Sequence, residues 1–147
     1  NENELIGLLD FKAHGSDDLS VEVKESATTL SHDVWETVSA FANTAGGIIV
    51  LGVSERAGFV PVEDFETEKV LNQFVAGWVM PAVAENWPIR PNTLLSAWSF
   101  GHRVLVITIE ELDPSSKPCY VIERGAQGGS YKRIDDKDVP LSSTEVF

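Results

Sequence analysis

The chain has 147 residues, the size of one domain that can bury a hydrophobic core without disulfides. It carries 23 acidic and 11 basic residues, a formal net charge of −12, so its average field repels nucleic acid and anionic membranes. A single cysteine excludes an internal disulfide, and three scattered histidines exclude a structural zinc module. No apolar run approaches the roughly 20 residues that span a bilayer, and the acidic start is unlike a signal peptide. We therefore expect a cytoplasmic protein without a membrane partner.

The N-terminal third predicts two helices around one strand. Residues 1–14 have the apolar spacing of a short amphipathic helix. Residues 19–26 alternate apolar and polar side chains, which predicts a half-buried strand with Glu22 and Lys24 on one face. From a Ser31 N-cap onward, apolar residues recur at helical spacing until a Gly-Gly pair ends the helix.

The middle of the chain predicts a buried hairpin followed by a helix. Residues 48–53 are continuously apolar and β-branched, as in a central strand covered on both faces. A turn connects them to a short return strand at 59–62, which completes the hairpin. Residues 67–84 repeat apolar side chains at helical intervals, and Pro81 marks the expected helix end.

The remaining elements are mostly antiparallel. Residues 94–100 and 103–109 predict one strand pair, and 119–122 and 130–134 predict a final hairpin across a glycine-rich turn. Residues 141–147 begin a helix that stops before any C-cap, so we expect the chain to be part of a longer protein. Strands and helices are interspersed without strict alternation. We predict an α+β fold, with a mixed, mostly antiparallel sheet packed with two to four helices.

Three segments, taken in order, resemble one family. They are Val-Glu-Val-Lys at 21–24, Ala-Phe-Ala-Asn-Thr-Ala-Gly-Gly at 40–47, and Lys-Pro-Cys-Tyr at 117–120 followed by Gly-Ser-Tyr-Lys-Arg at 129–133. This order is similar to the Schlafen AlbA-like domain, described as a DNA-binding domain of bacterial transcriptional regulators. The resemblance covers about 19–146 and implies that residues 1–147 form a single domain of that family.

The resemblance implies a function as well as a fold. It implies a nucleic-acid-binding domain, the N-terminal module of a longer bacterial regulator, with DNA or RNA as a partner bound weakly in isolation. In such regulators an ATPase-like region follows, so ATP would bind outside this chain. The paired lobes of the Schlafen core imply a homodimer. No cofactor is expected for a binding module.

Nuclease members of the family carry a carboxylate cluster, which the resemblance places at Asp17 (or Asp18), Glu22 and Glu55 in this sequence. Three converging carboxylates repel one another unless a divalent cation neutralises them, so this catalytic trio would bind Mg²⁺ or Mn²⁺. Such a metal can polarise a phosphodiester and activate water. The alternative function is therefore a metal-dependent nuclease of RNA or DNA.

This sequence departs from the family pattern at three positions. Asp17 replaces a longer glutamate, Val23 replaces phenylalanine, and Ser54 stands where aspartate is common. Without a metal, Asp17 would cap a turn, Glu22 would pair with a lysine or a neighbouring strand, and Glu55 would be a surface charge. We leave open whether the domain is an enzyme, and we favour a non-catalytic module.

The sequence offers few cations for phosphate contacts. The candidate nucleic-acid-binding residues are Lys24, Lys117, Arg124, Lys132 and Arg133. Lys132 and Arg133 are neighbours on one predicted strand, so they point to opposite faces and only one can join a given groove. Asp135, Asp136 and Asp138 follow directly and would cancel much of the field. Ordinary solvated charge is the alternative, and a protein-interaction or sensory module is a third possible function.

Overall fold

The structure, a computed structural model, describes residues 20–26, 28–79, 83–84, 97–100, 104–121 and 124–146. The helix expected at 1–14 and the candidate Asp17 lie outside these residues. No helix in the described part is long and apolar enough to cross a membrane.

The described residues form ten strands, four α-helical segments and one 3-10 turn at Pro114–Ser116. The strands are β1 (Val21–Lys24), β2 (Gly47–Leu51), β3 (Val53–Ser54), β4 (Val60–Pro61), β5 (Val83–Ala84), β6 (Ala97–Phe100), β7 (Val104–Ile109), β8 (Tyr120–Val121), β9 (Tyr131–Ile134) and β10 (Lys137–Pro140). The helices are α1 (Val34–Asn43), α2 (Thr67–Val79), α3 (Ala126–Gly129) and α4 (Ser143–Val146). Segment α3 is a kinked turn, because Gln127 and Gly128 have non-helical dihedral angles.

The main sheet has four strands in the order β1-β2-β7-β6. β1 runs parallel to β2, whereas β7 is antiparallel to both β2 and β6. The predicted α+β architecture with a mixed, mostly antiparallel sheet is confirmed, and β2 is central as expected. The predicted pairing of the strands before and after residue 102 is confirmed too, as β6 with β7.

Each face of the sheet carries its own core. Ile49 and Leu51 of β2 pack with α1 and α2 in the larger core. Val50 packs on the opposite face with the two valines of β1. The parallel register pairs Glu22 with Ile49 and Lys24 with Leu51, so both charged residues share the helix-covered face, as predicted. Because β1 is an outer strand of this sheet, both side chains lie at the margin of the core.

The observed C-terminal end of α1 agrees with the sequence prediction, but its N-terminal end does not. The helix begins at Val34 rather than just after Ser31, because the Val34 N–H donates to the Ser31 carbonyl in a preceding turn. The predicted glycine stop is confirmed, since Gly46 adopts φ +73° and donates its N–H to the Phe41 carbonyl. The next glycine is required for packing, because a Cβ on Gly47 would lie 2.5 Å from the Phe41 ring.

The hairpin in the middle of the chain is confirmed, but it consists of β3 and β4 rather than of the whole 48–53 run. Gly52 adopts φ +90° between β2 and β3, which turns the chain out of the main sheet. α2 begins at Thr67 as predicted and extends to Val79.

Among the described residues, the predicted final hairpin between 119–122 and 130–134 is reduced to one antiparallel bridge, Tyr120 with Ser130. β8 forms its ladder with β5 instead. The true final hairpin is β9 with β10, closed by Asp135 and Asp136. Asp135 adopts φ +55°, the left-handed conformation that a two-residue hairpin turn requires and that Asp tolerates.

Polar side chains of α1 hold the C-terminal half of the domain in place. The Ser39 hydroxyl donates to the Cys119 carbonyl at 2.6 Å and accepts the Tyr131 N–H at 3.0 Å. The Asn43 amide donates to the carbonyls of Cys119 and Tyr131 at 2.9 Å each, and its oxygen accepts the Cys119 N–H at 2.6 Å. These side chains thus complete the backbone hydrogen bonding of segments that do not pair with each other in a full ladder.

We predict that Asn43→Ala destabilises the domain by about 2–4 kcal/mol, because partly buried backbone groups of Cys119 and Tyr131 lose their partners. Urea denaturation followed by tryptophan fluorescence measures the change. Asn72→Ala is the matched control, since Asn72 is exposed on α2. Equal midpoints for the two variants would contradict the role assigned to Asn43.

Candidate functional site

A cleft of about 540 Å³ lies beside the C-terminal end of α1. Three of the five candidate cations line it, namely Lys117, Lys132 and Arg133, together with Glu145 of α4. Asn43 and Thr44 also line it. Lys117 reaches the cleft from the loop before β8, and Lys132 and Arg133 reach it from β9.

The two lysines of the cleft are each paired with one surface carboxylate. Lys117 Nζ donates to Glu111 Oε2 and Lys132 Nζ donates to Glu145 Oε2, both at 2.6 Å. The lysine side chains are 25% and 33% exposed, so solvent reaches both ion pairs. The hydrogen bond from Lys132, followed by that from the Ser142 backbone, lowers the pKa of Glu145 to about 2. The Glu145 carboxylate is therefore charged throughout the physiological pH range.

Arg133 behaves differently, since its side chain is only 3% exposed. Its Nη1 donates to Asp138 Oδ1 at 2.7 Å and its Nη2 donates to Glu22 Oε2 at 2.8 Å. The guanidinium lies 5.0 Å from the centroid of the Phe41 ring, a cation–π distance. Burial alone would lower the pKa of Arg133, but the hydrogen bonds that it donates to Glu22 and Asp138 outweigh burial and raise that pKa. We conclude that Arg133 is a fixed structural cation.

The carboxylates around Arg133 are themselves held in place. Asp138 Oδ2 accepts the Thr37 hydroxyl at 2.7 Å, and Thr37 is fully buried on α1. The network therefore joins α1, β1, β9 and β10. Lys132 is half-buried and Arg133 buried, as the alternation of side chains along β9 predicts. Both residues nevertheless line the cleft, contrary to the expectation that only one of them joins a given groove.

The other two candidate cations do not line the cleft. Lys24 pairs with Asp33 at 3.2 Å, at the start of α1. Burial raises the pKa of Asp33, but the hydrogen bond from Ser31 and the charge of Lys24 together outweigh burial. The pKa of Asp33 is therefore lowered. Arg124 donates to the Tyr131 hydroxyl at 2.5 Å and pairs with Glu36 at 3.3 Å, and both partners raise its pKa. Three of the five candidate cations therefore line one cleft, and the other two form ion pairs elsewhere.

The members of the candidate carboxylate trio have different surroundings. Glu22 binds Arg133, whereas Glu55 is exposed in the turn between β3 and β4. Asp17 lies outside the described residues, so the trio itself stays a prediction. Over the part of the chain that the structure describes, no three His, Cys, Asp or Glu side chains form a group that could hold a metal ion.

Sequence reasoning missed Asp138 as the partner of Arg133, and it missed Glu145. The first signal was available, because Asp138 lies directly opposite Arg133 once the Asp135-Asp136 turn is recognised. No local sequence pattern indicates that Glu145 pairs with Lys132, because the two residues are separated by the final hairpin. The expectation that Asp138 weakens the basic field is consistent with its ion pair to Arg133.

Comparison with known proteins identifies the family. The profile of the family described as Schlafen, AlbA_2 matches residues 17–142, so the chain belongs to this family. A similar solved structure is the solution structure of the N-terminal domain of a RecG-related protein from Nitrosomonas europaea. It is 28% identical and has a TM-score of 0.58, and the match covers 92% of each chain.

A second similar structure is the crystal structure of the DIP2311 protein from Corynebacterium diphtheriae. It is 16% identical with a TM-score of 0.56, and the match covers 99% of this chain but 28% of that chain. At this identity the likeness shows the fold alone. No curated protein matches the chain.

We predict that Arg133→Met destabilises the domain by about 3–5 kcal/mol, because it leaves Glu22 and Asp138 facing each other without a cation. Thermal and urea unfolding measure the loss. The matched control is Arg56→Met, since Arg56 is 89% exposed and pairs with Glu25 at 3.7 Å. Adding Glu22→Gln and Asp138→Asn to Arg133→Met should recover part of the stability, and no recovery would contradict an electrostatic origin.

Proposed function

We propose that this domain associates with nucleic acid and contacts phosphates through Lys117 and Lys132. The observation that carries the proposal is the cleft, where two partly exposed lysines from separate segments lie on one concave surface. Membership of the Schlafen AlbA_2 family supports it. So does the likeness to the RecG-related protein from Nitrosomonas europaea, which is described as a candidate ATP-dependent DNA helicase.

The strength of the ion pairs determines which cations can contact phosphate. A surface lysine–carboxylate pair stabilises a protein by only about 0–1 kcal/mol, so Lys117 and Lys132 can exchange their carboxylates for phosphate at little cost. Arg133 cannot exchange, because breaking its buried double pair would leave Glu22 and Asp138 uncompensated. Its role in binding is to keep Lys132, its neighbour on β9, in position.

The net charge limits the affinity. Two phosphate contacts opposed by a net charge of −12 should give weak binding that decreases as the salt concentration rises. For duplex DNA, each neutralised phosphate contributes about −0.9 to the slope of log binding constant against log salt concentration. Two contacts therefore give a slope of about −1.8.

We predict that replacing both Lys117 and Lys132 by alanine lowers the affinity for labelled single strands and duplexes by about tenfold or more and flattens the salt slope. Fluorescence anisotropy at low and physiological salt measures both quantities. Lys69→Ala is the matched control, because Lys69 forms a comparable surface pair with Glu66 at 3.6 Å outside the cleft. Binding that is unchanged in the double variant would refute the proposed contacts.

The finer parts of the proposal come from the family. We propose that the domain serves a transcriptional regulator of a bacterium, acts in the cytoplasm and works as a homodimer. The two clefts of a homodimer could bind the same nucleic-acid strand. This would raise the avidity without new contacts and compensate for weak binding at each cleft. ATP, if the longer protein binds it, would bind outside this chain.

The nuclease alternative depends on Glu22, and the structure gives that carboxylate another partner. Its Oε2 accepts a hydrogen bond from Arg133, whose positive charge would oppose a divalent cation at the same carboxylate. We therefore propose that Glu22 acts as a structural counter-ion and that the domain binds without cutting.

We predict that the domain leaves tRNA, single strands and duplex intact in Mn²⁺ or Mg²⁺, as followed on denaturing gels. The Glu22→Ala protein, with Glu25→Ala as a control at an exposed position, is incubated in parallel. Cleavage by the wild type and the Glu25→Ala protein that disappears in the folded Glu22→Ala protein would establish the nuclease instead.

A further inference from the structure

We propose that the cleft binds one nucleotide that carries a phosphomonoester, and that Glu145 occupies the position of this phosphate in the unliganded domain. The inference rests on the proposed function and narrows it from nucleic acid in general to a phosphorylated strand end or a free nucleotide. It follows from the size of the cleft, the nature of its walls and the ion pair that closes it.

The dimensions favour a small ligand. A volume of about 540 Å³ lies within the range of roughly 300–1,000 Å³ that is typical of clefts for cofactor-sized molecules. A duplex presents its phosphates on a convex surface and keeps its bases stacked inside. A concave site of this size therefore suits an unstacked nucleotide, which can enter with its base and sugar.

The walls combine charged and apolar residues. Lys117 and Lys132 supply cations, and Pro114, Pro118 and Leu141 supply apolar surface. The Asn43 amide is already engaged by the backbone of Cys119 and Tyr131, so it shapes the wall without being free to bind. This combination matches a ligand that carries both a phosphate and a flat, weakly polar ring.

Glu145 holds the place of the phosphate. Its Oε2 accepts the Lys132 ammonium at 2.6 Å, and its Oε1 accepts the Ser142 N–H at 2.9 Å. A phosphomonoester carries a charge of about −1.5 to −2 near pH 7, against −1 for the carboxylate. A phosphate can thus displace Glu145 from Lys132, and Ser142 keeps the released side chain in place beside the cleft.

This arrangement predicts that neutralising Glu145 tightens binding. Glu145→Gln keeps an oxygen that can accept the Ser142 N–H but removes the charge that competes for Lys132. The expected gain in affinity is about two- to fivefold, the strength of one exposed ion pair. Glu68→Gln is the matched control, because Glu68 is exposed in the first turn of α2 and does not line the cleft.

The test is an NMR titration of the ¹⁵N-labelled domain with four probes: a nucleoside 5′-monophosphate, a 5′-phosphorylated dinucleotide, the same dinucleotide without its terminal phosphate, and inorganic phosphate. We expect the two phosphorylated nucleotides to shift the backbone amides of Thr44, Lys117, Lys132 and Glu145. The Glu145→Gln protein should bind both more tightly, and Lys132→Gln should bind neither. Tighter binding of the dinucleotide identifies a strand end, and equal binding identifies a free nucleotide.

Three results would overturn the inference: shifts outside the cleft or none at all, equal affinity for inorganic phosphate and the nucleotides, or equal affinity of the Glu145→Gln and Glu68→Gln proteins. The proposed function is judged separately, by anisotropy with longer strands and the double lysine variant. If long strands bind in a lysine-dependent way but Glu145→Gln leaves nucleotide affinity unchanged, the proposed nucleic-acid function stands and the nucleotide inference is rejected.

Discussion

The C-terminal half of the domain depends on hydrogen bonds from two side chains of α1. Ser39 and Asn43 bind backbone groups at Cys119 and Tyr131, which lie 76 to 92 positions further along the chain. Within the described residues those segments share one bridge, so side chains of α1 supply hydrogen bonds that a neighbouring strand would supply in a full ladder. This explains why polar residues interrupt an otherwise apolar helix face: Ser39 and Asn43 each bind backbone groups of the C-terminal half.

The same helix provides the environment of the buried cation. Phe41 packs beneath Arg133, and Thr37 binds the carboxylate of Asp138 on the other side. Burying a guanidinium costs free energy that its carboxylates recover only when their geometry is good and their remaining oxygens are bonded. Such a network favours one arrangement of β1, β9 and β10 over others. Its contribution is therefore specificity of the fold as well as stability.

Local sequence patterns predicted the elements better than their partners. Alternation in β1, the β-branched run of β2 and the glycines after α1 are signals within a few residues, and each was confirmed. The pairing of β8 with β5 and the ion pair between Glu22 and Arg133 join residues far apart in sequence. Local periodicity does not predict such contacts, because they depend on the paths of the loops that bring distant segments together. The Asp135-Asp136 turn, by contrast, is a local signal for the hairpin of β9 and β10.

The distinction between fixed and exchangeable cations connects the fold to the site. A count of basic residues treats Arg133 and Lys132 alike, although they are neighbours on one strand. Burial gives Arg133 two carboxylates that it cannot release, whereas exposure gives Lys132 one that it can. Because Arg133 and Lys132 are neighbours on β9 and point to opposite sides of the strand, the ion pairs that fix Arg133 also hold Lys132 in position. An acidic protein can in this way present a small cationic site, since only the charges that line the cleft and can change partners contribute to binding.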